Sequence, residues 1–212
     1  MVYVLDSKSS ARKGMRVRVP PLAPDRDENL AYLIGVAIGD GNLSNPTGRC
    51  VRLRISCDIK YPGIIRKIEK SLQAILPNAK TSLVKRKANC KDISCYSNSL
   101  LDFLPWDYRL GPKHAQPLKI PTWITVNTLF IKHCLCGLIQ TDGSIYSDRG
   151  YLMVNFTTVN KELASDFIKL IGILGFECKK YEISKNLKRP RFTIRITKRV
   201  SEFIKLIALF KN

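Results

Sequence analysis

The residues of clearest chemical potential are two aspartates set in a repeated frame. Leu33-Ile34-Gly35-Val36-Ala37-Ile38-Gly39-Asp40-Gly41 returns as Leu135-Cys136-Gly137-Leu138-Ile139-Gln140-Thr141-Asp142-Gly143, about half of the 212-residue chain further on. Each copy is an apolar, small-residue helical stretch ended by Asp-Gly. A helix C-terminus carries partial negative charge, so an acid there is disfavoured unless a cation compensates. Gly35 and Gly39 share one helix face, where absent side chains let two backbones approach, and Gly137 and the small Thr141 take the corresponding places. Helices packed in this way bring Asp40 and Asp142 together, and two close carboxylates repel unless divalent cations sit between them. Oxygen donors without His or Cys suit Mg²⁺. Paired ions at such a site hydrolyse phosphodiesters by activating a water and stabilising the leaving oxygen. One Asp-Gly after an apolar helix is ordinarily a stop and turn; it is the duplication that departs from this.

Composition supplies the partner. Thirty-six Lys and Arg against 17 Asp and Glu give a formal charge of +19, an excess that implies a polyanion, either nucleic acid or an anionic membrane surface. No apolar run approaches the roughly 20 residues a spanning helix needs. The N-terminus lacks the charged start, apolar core and cleavage site of a signal peptide. Nucleic acid rather than membrane is therefore the expected partner, in a cytoplasmic or organellar, reducing compartment rather than outside the cell. Seven cysteines, odd in number and never spaced Cys-x-x-Cys, argue against a zinc ribbon or disulfide framework. His114 and His133 are too isolated to build a metal site.

Strand alternation supplies a surface. Over 51–58, Val51, Leu53, Ile55 and Cys57 fall on one face and Arg52, Arg54, Ser56 and Asp58 on the other. Around 191–197, Phe192, Ile194 and Ile196 oppose Arg191, Thr193, Arg195 and Thr197; in 151–158, Leu152, Val154 and Phe156 oppose Tyr151, Met153, Asn155 and Thr157. One apolar face beneath helices and one basic or polar face outward could lie in a major groove, where Arg reads guanine and Asn reads adenine. Arg49 and Arg149 extend this surface. Lys85, Arg86, Lys87, Lys179, Lys180, Lys188 and Arg189 are expected phosphate contacts, which position without specifying.

Three segments are expected: a basic flexible arm over 1–26, a first half over 27–120 and a second over 121–212. In the arm, Met15 to Pro24 reads like the in-frame translation of the 3′ end of a transfer RNA gene. In the first half, Asp27 and Glu28 open the motif helix and Asn42 to Gly48 is turn-rich. A strand around 50–58, an amphipathic helix over 62–76, a hairpin (81–87, 92–98) and a short helix over 99–104 follow. Pro105, Gly111, Pro112, Pro117 and Pro121 mark an irregular connector. In the second half, a helix over 125–141 carries motif two, and a hairpin turning at Asp148-Arg149-Gly150 enters a strand over 151–159. A helix over 161–174 ends at Gly175, strands follow around 178–184 and 190–197, and a helix over 199–210 closes the chain. Two such halves, packed through their first helices, can form one pseudo-twofold α+β unit.

Both motifs, this element order, and the run from Leu110-Gly111-Pro112-Lys113 to Ile120-Pro121-Thr122-Trp123-Ile124 resemble the LAGLIDADG homing endonucleases in their single-chain, two-motif form. The resemblance covers most of 28–212. It implies two αββαββα halves with motif helices at the centre and antiparallel sheets forming a DNA-binding saddle. It further implies Mg²⁺, two or three ions, at Asp40 and Asp142 with the backbone oxygens of Gly39 and Thr141 as added ligands. A basic residue near the scissile phosphate is implied as well, with Lys113 the candidate in half one and Lys211 in half two. Motif two departs from the family at Cys136 and Gln140, yet both acids stand.

The leading expectation is a monomeric, metal-dependent endonuclease cutting a long asymmetric site in double-stranded DNA, carried by a mobile intron. The absence of flanking splicing segments favours a free-standing or intron-encoded protein over an intein insert. An RNA maturase that helps an intron splice, with intron RNA as ligand, uses the same basic surfaces. A catalytically inactive DNA-binding regulator on this scaffold is the other alternative, against which the paired acids speak.

Overall fold

The computed structural model describes residues 24–86, 89–184 and 189–211. The 1–26 arm therefore falls almost wholly outside the described residues, as do Lys87 and Lys188.

Two helices form the axis. α1 (Glu28–Asp40) starts at Asp27, whose carboxylate accepts the backbone N–H of Leu30 at 2.7 Å, satisfying one of the donors a helix start leaves open. Every residue from Leu30 to Ile38 is buried. A helix apolar on all sides belongs inside, and α1 lies against α5 (Thr128–Asp142), which is buried from Cys134 to Gln140. The sequence predicts one helix from 125; instead Thr122–Thr125 is a separate turn, α4. Asn127 explains the break, because its side chain accepts from Leu129 N–H and begins a new helix.

After α1 come β1 (Gly41–Ser44), β2 (Arg52–Asp58), α2 (Pro62–Ile75), β3 (Lys80–Lys85), β4 (Cys90–Tyr96) and α3 (Leu100–Phe103). After α5 come β5 (Gly143–Asp148), β6 (Tyr151–Thr158), α6 (Lys161–Ile173), β7 (Cys178–Ile183), β8 (Arg191–Ile196) and α7 (Val200–Leu206). Each half is thus αββαββα, with an antiparallel sheet in the order β1-β2-β4-β3 or β5-β6-β8-β7. The stretch expected as turn-rich from Asn42 opens as β1 instead, pairing Gly41 with Ile55. The Asp148-Arg149-Gly150 turn is as expected, with Arg149 and Gly150 both at positive φ, 50° and 83°, as two-residue hairpins require. Gly175, at φ 77°, closes α6 as its C′ glycine.

Alternation sets the two sheet faces. Val51, Leu53, Ile55 and Cys57 are buried, as are Phe192, Ile194, Ile196, Val154 and Phe156. Leu152 is the exception at 39% exposed: it stands at the tip of the β5–β6 hairpin, past the reach of the helices. The last helix also stops early. Ala208 takes φ 47° and sends the chain from Leu209 to Lys211 back toward the end of α5. Among the described residues, no helix is long and apolar enough to cross a membrane.

Candidate nuclease centre and nucleic-acid interface

The joint between α1 and α5 is made of backbone. A Cβ built on Gly35 would stand 2.2 Å from the carbonyl oxygen of Cys134, one on Gly137 would stand 2.5 Å from that of Tyr32, and one on Gly39 would meet the Thr141 side chain. The helices touch where the sequence placed small residues, and they deliver Asp40 and Asp142 side by side at their ends. Burial among the packed ends raises both carboxyls. Asp142 is pushed up to about 6, first by that desolvation and next by the charge of Asp40, with Lys113 and Lys211 pulling the other way. Asp40 is raised by burial against the same two lysines. Both acids nevertheless keep surface open to solvent, so ions can reach them.

Two lysine ammonium groups reach the helix ends. Lys113, from the proline-bearing connector, donates its ammonium to the carbonyls of Ala37 (3.2 Å), Gly39 (2.5 Å) and Gly41 (2.8 Å). Lys211, from the C-terminal tail, donates to Gly143 O at 2.6 Å. Gly41 and Gly143 are equivalent motif positions, so two unrelated chain segments bring one lysine each to the same place in the two halves. The pairing with the acids is crossed. One pocket of about 260 Å³ holds Lys113 with Asp142; another of about 120 Å³ holds Lys211 with Asp40, Thr141 and Gln140. Burial pushes Lys113 down to about 8, against the attraction of Asp142 and Asp40, and lowers Lys211 too.

This donor set fits a hard divalent cation. Two carboxylates, each raised by burial in a partly desolvated joint, supply the hard oxygen donors, with His114 lining the pocket of Asp142 and Cys57 that of Asp40, and a divalent cation would relieve the repulsion between them. The Gly39 carbonyl already accepts from Lys113, whereas Thr141 lines the pocket beside Asp40.

The open sheet faces divide the other candidates. Arg49, Lys85, Lys179, Arg189, Arg191, Arg149, Tyr151 and Thr197 are exposed, with Arg189 donating to the His114 carbonyl. Lys180, also exposed, instead registers opposite buried Ile194 on the helix side of its sheet, with its ammonium 5.5 Å from the Phe192 ring centre. Asn155 and Arg195 face each other across β6 and β8. Arg195 Nε donates to the Asn155 carboxamide oxygen at 3.2 Å, and Asn155 donates onward to the Tyr146 hydroxyl. Thr157 and Thr193 are likewise paired. In the first sheet Arg52 bonds Ser44.

Asp92 is the residue that the sequence reading missed. It lies buried on β4, opposite Ser56, accepting from Ser56 Oγ at 2.8 Å and Arg86 Nε at 2.6 Å. Burial alone would raise its carboxyl. The Ser56 and Arg86 hydrogen bonds, with the Arg86 and Arg54 charges, hold it below the usual range. Arg86 and Ser56 are therefore tied to the protein, and Arg54 stands 4.0 Å from the same carboxylate with its Nε unpartnered. The available signal was an acid within a strand expected to pair beside the Arg52 and Arg54 face. Asp92→Asn is expected to cost about 1–2 kcal/mol, a buried pair discounted for the half-exposed Arg86. It should also loosen base preference where Arg54 docks, by about 1–3 kcal/mol. Melting curves and binding to single-base target variants would show it; a uniform loss across all sequences would make Arg54 a phosphate contact instead.

Paired acid-ended helices carrying two antiparallel saddles are the architecture of the LAGLIDADG fold. Residues 130–207, which include the second motif, match the model of a LAGLIDADG-like domain. A mesophilic variant of the homing endonuclease I-DmoI superposes with TM-score 0.61 at 17% identity over 87% of this chain and 98% of its own. I-DmoI in complex with DNA and Mn gives TM-score 0.60 at 17% identity, covering 85% and 96%. Full-length DUF199/WhiA from Thermotoga maritima gives 0.60 at 14% identity, covering 88% of this chain and 57% of that one. Two curated relatives are each 27% identical: the tRNA-splicing ligase RtcB of Methanopyrus kandleri, over 73% of this chain, and the DNA polymerase of Thermococcus hydrothermalis, over 75%. The chain spans only 18% and 9% of their lengths.

Proposed function

We propose that this chain is a homing endonuclease: a monomeric, site-specific enzyme that hydrolyses both strands of a long asymmetric DNA target with Mg²⁺. The observation that carries the reading is the pair Asp40 and Asp142, each sharing a pocket with the lysine that caps the other helix. A fold alone assigns no chemistry; this constellation is what supports the cleavage reading. Asp40 and Asp142 would hold the metal, with the carbonyl of Thr141, and beside it that of Gly39, as further oxygen donors. Bound there, Mg²⁺ supplies Lewis-acid charge and an acidified water. Lys113 and Lys211 keep positive charge at the helix ends, where it offsets the charge that develops on the attacked phosphate. The basic sheet faces neutralise backbone phosphates and aim Arg and Asn at base edges. One chain contains both acids, so one copy suffices.

The homing-endonuclease neighbours support this reading, while DUF199/WhiA shares the fold without bearing on cleavage. I-DmoI is compared over nearly its whole length, and its structures include DNA with Mn, Mg or Ca. A match confined to small in-frame parts of a ligase and of a polymerase supports a mobile module rather than the chemistry of either host, and it fits in-frame carriage within a host protein as well as carriage by an intron.

Cleavage of a randomised duplex library with Mg²⁺, with Ca²⁺ and Asp40→Asn controls and the ends sequenced, tests the proposal. The expected product is one long recurrent site cut on both strands. Tight, salt-sensitive binding without cuts would overturn it and make intron RNA the next ligand to try.

A further inference from the structure

Gln140 sits in motif two where motif one has Ile38, and the fold places both inside, 5% and 2% exposed. A carboxamide in an apolar joint costs free energy unless both its ends are bonded. Here they are. The Gln140 oxygen accepts from the Tyr32 hydroxyl of α1 at 2.7 Å, and its nitrogen donates to the Phe210 carbonyl at 2.9 Å. The residue after Phe210 is Lys211, whose ammonium reaches Gly143 O. The tail arrives there through a left-handed turn at Ala208, a conformation that disfavours any residue with a Cβ by about 1–2 kcal/mol. The Ala208 carbonyl then meets Cys136 Sγ at 3.7 Å. The Lys67 ammonium lies 4.1 Å from the Tyr32 ring centre and 5.5 Å from that of Phe210, closing the seam from outside. Both departures of motif two, Cys136 and Gln140, thus face the tail.

The asymmetry between halves follows. In half one the lysine comes from the connector, anchored by buried Trp106, Leu118 and Ile120, and the equivalent helix position can be Ile38. In half two the lysine follows buried Ile207 and Leu209, and the backbone beside it is held by a polar bond from Gln140. We propose that Gln140, bridged to Tyr32, is a positioning residue that docks the C-terminal tail and so sets Lys211 in the Asp40 pocket. The proposal rests on the endonuclease reading for its catalytic consequence, but not for the docking itself.

Two measurements separate these. In the DNA-free protein, hydrogen exchange of 207–211 is expected to quicken about tenfold in Gln140→Met and in Tyr32→Phe, the size of one lost buried hydrogen bond. In single-turnover cleavage, Gln140→Met should slow the reaction as Lys211→Met does, and the double variant should be no slower than Lys211→Met alone. Effects that multiply would make Gln140 a packing residue and overturn the proposal, as would unchanged tail exchange. Tyr32→Phe, which keeps the ring beneath Lys67, carries the exchange test if Gln140→Met does not fold. If the wild type does not cleave while the tail loosens as expected, the endonuclease reading fails and the docking role stands.

Discussion

Asp142→Asn should abolish cleavage, by about 10³-fold or more, while DNA affinity stays within a few-fold of wild type and the metal-free protein becomes more heat-stable. The first effect is that of removing one of the two charged oxygen donors proposed to hold Mg²⁺, whose Lewis acidity would supply several kcal/mol at the transition state. Binding would be retained because the proposed interface lies on the sheet faces, in residues such as Arg195 and Lys179 that the substitution does not touch.

The stability effect follows from linkage. The folded Asp142 carboxyl is pushed up to about 6, above the roughly 3.9 of an unfolded chain. Between those values the native state binds the extra proton, so its stability is full below about pH 4 and declines as pH rises through about 6. Because the carboxyl is open to solvent, the decline is screened to a few degrees of melting temperature at most. Asp142→Asn removes it and should melt above wild type at pH 7.5. Adding Mg²⁺ reverses the order, since only wild type gains from ligand binding. Thermal melts at pH 5 and 7.5, with and without Mg²⁺, test this beside a cleavage assay. A folded Asp142→Asn that no longer binds DNA, or one that still cleaves within tenfold of wild type, would remove the aspartate from the metal site.

What the sequence disclosed and what it concealed divide by the range of the interaction. The motif helices, their small faces and the acids at their ends are local patterns, and they survive contact with the structure. So do the alternating strands and the Asp148-Arg149-Gly150 turn. Asn127 was visible as a residue, but its capping of Leu129 competes with a continuous apolar run, and there the cap wins. Lys113 was a candidate among many lysines, since its three carbonyl partners lie more than seventy residues away. Gln140 read as a flaw because its partner, Tyr32, is 108 residues distant. Asp92 belongs to the same class: only strand register sets it opposite Ser56.

Gly35→Ala is expected to lower stability by about 3 kcal/mol, the upper end of what overpacking a core costs, or about 6–12 °C of melting temperature for a chain of this size. In an ordinary helix the change would help by about 1 kcal/mol, since alanine is the better helix former. Here the added methyl would lie 2.2 Å from the Cys134 carbonyl oxygen and 3.1 Å from the Leu138 nitrogen. Both are backbone atoms of a buried helix, so neither can rotate aside as a flexible side chain would. The helices must separate instead, and because Asp40 and Asp142 ride on their ends, the separation reaches the chemistry. A displacement near 1 Å costs about 100-fold in rate, so the folded fraction should cleave poorly as well. Gly172→Ala is the matched control. It is also in a helix, but its added methyl meets nothing within 4 Å, and it should hold or slightly raise the melting temperature with cleavage unchanged. If Gly35→Ala melts with that control, the helices do not meet backbone to backbone and the glycine pattern has another origin. If it falls while Gly172→Ala does not, one pair of absent side chains sets both the stability of the joint and the spacing of its acids.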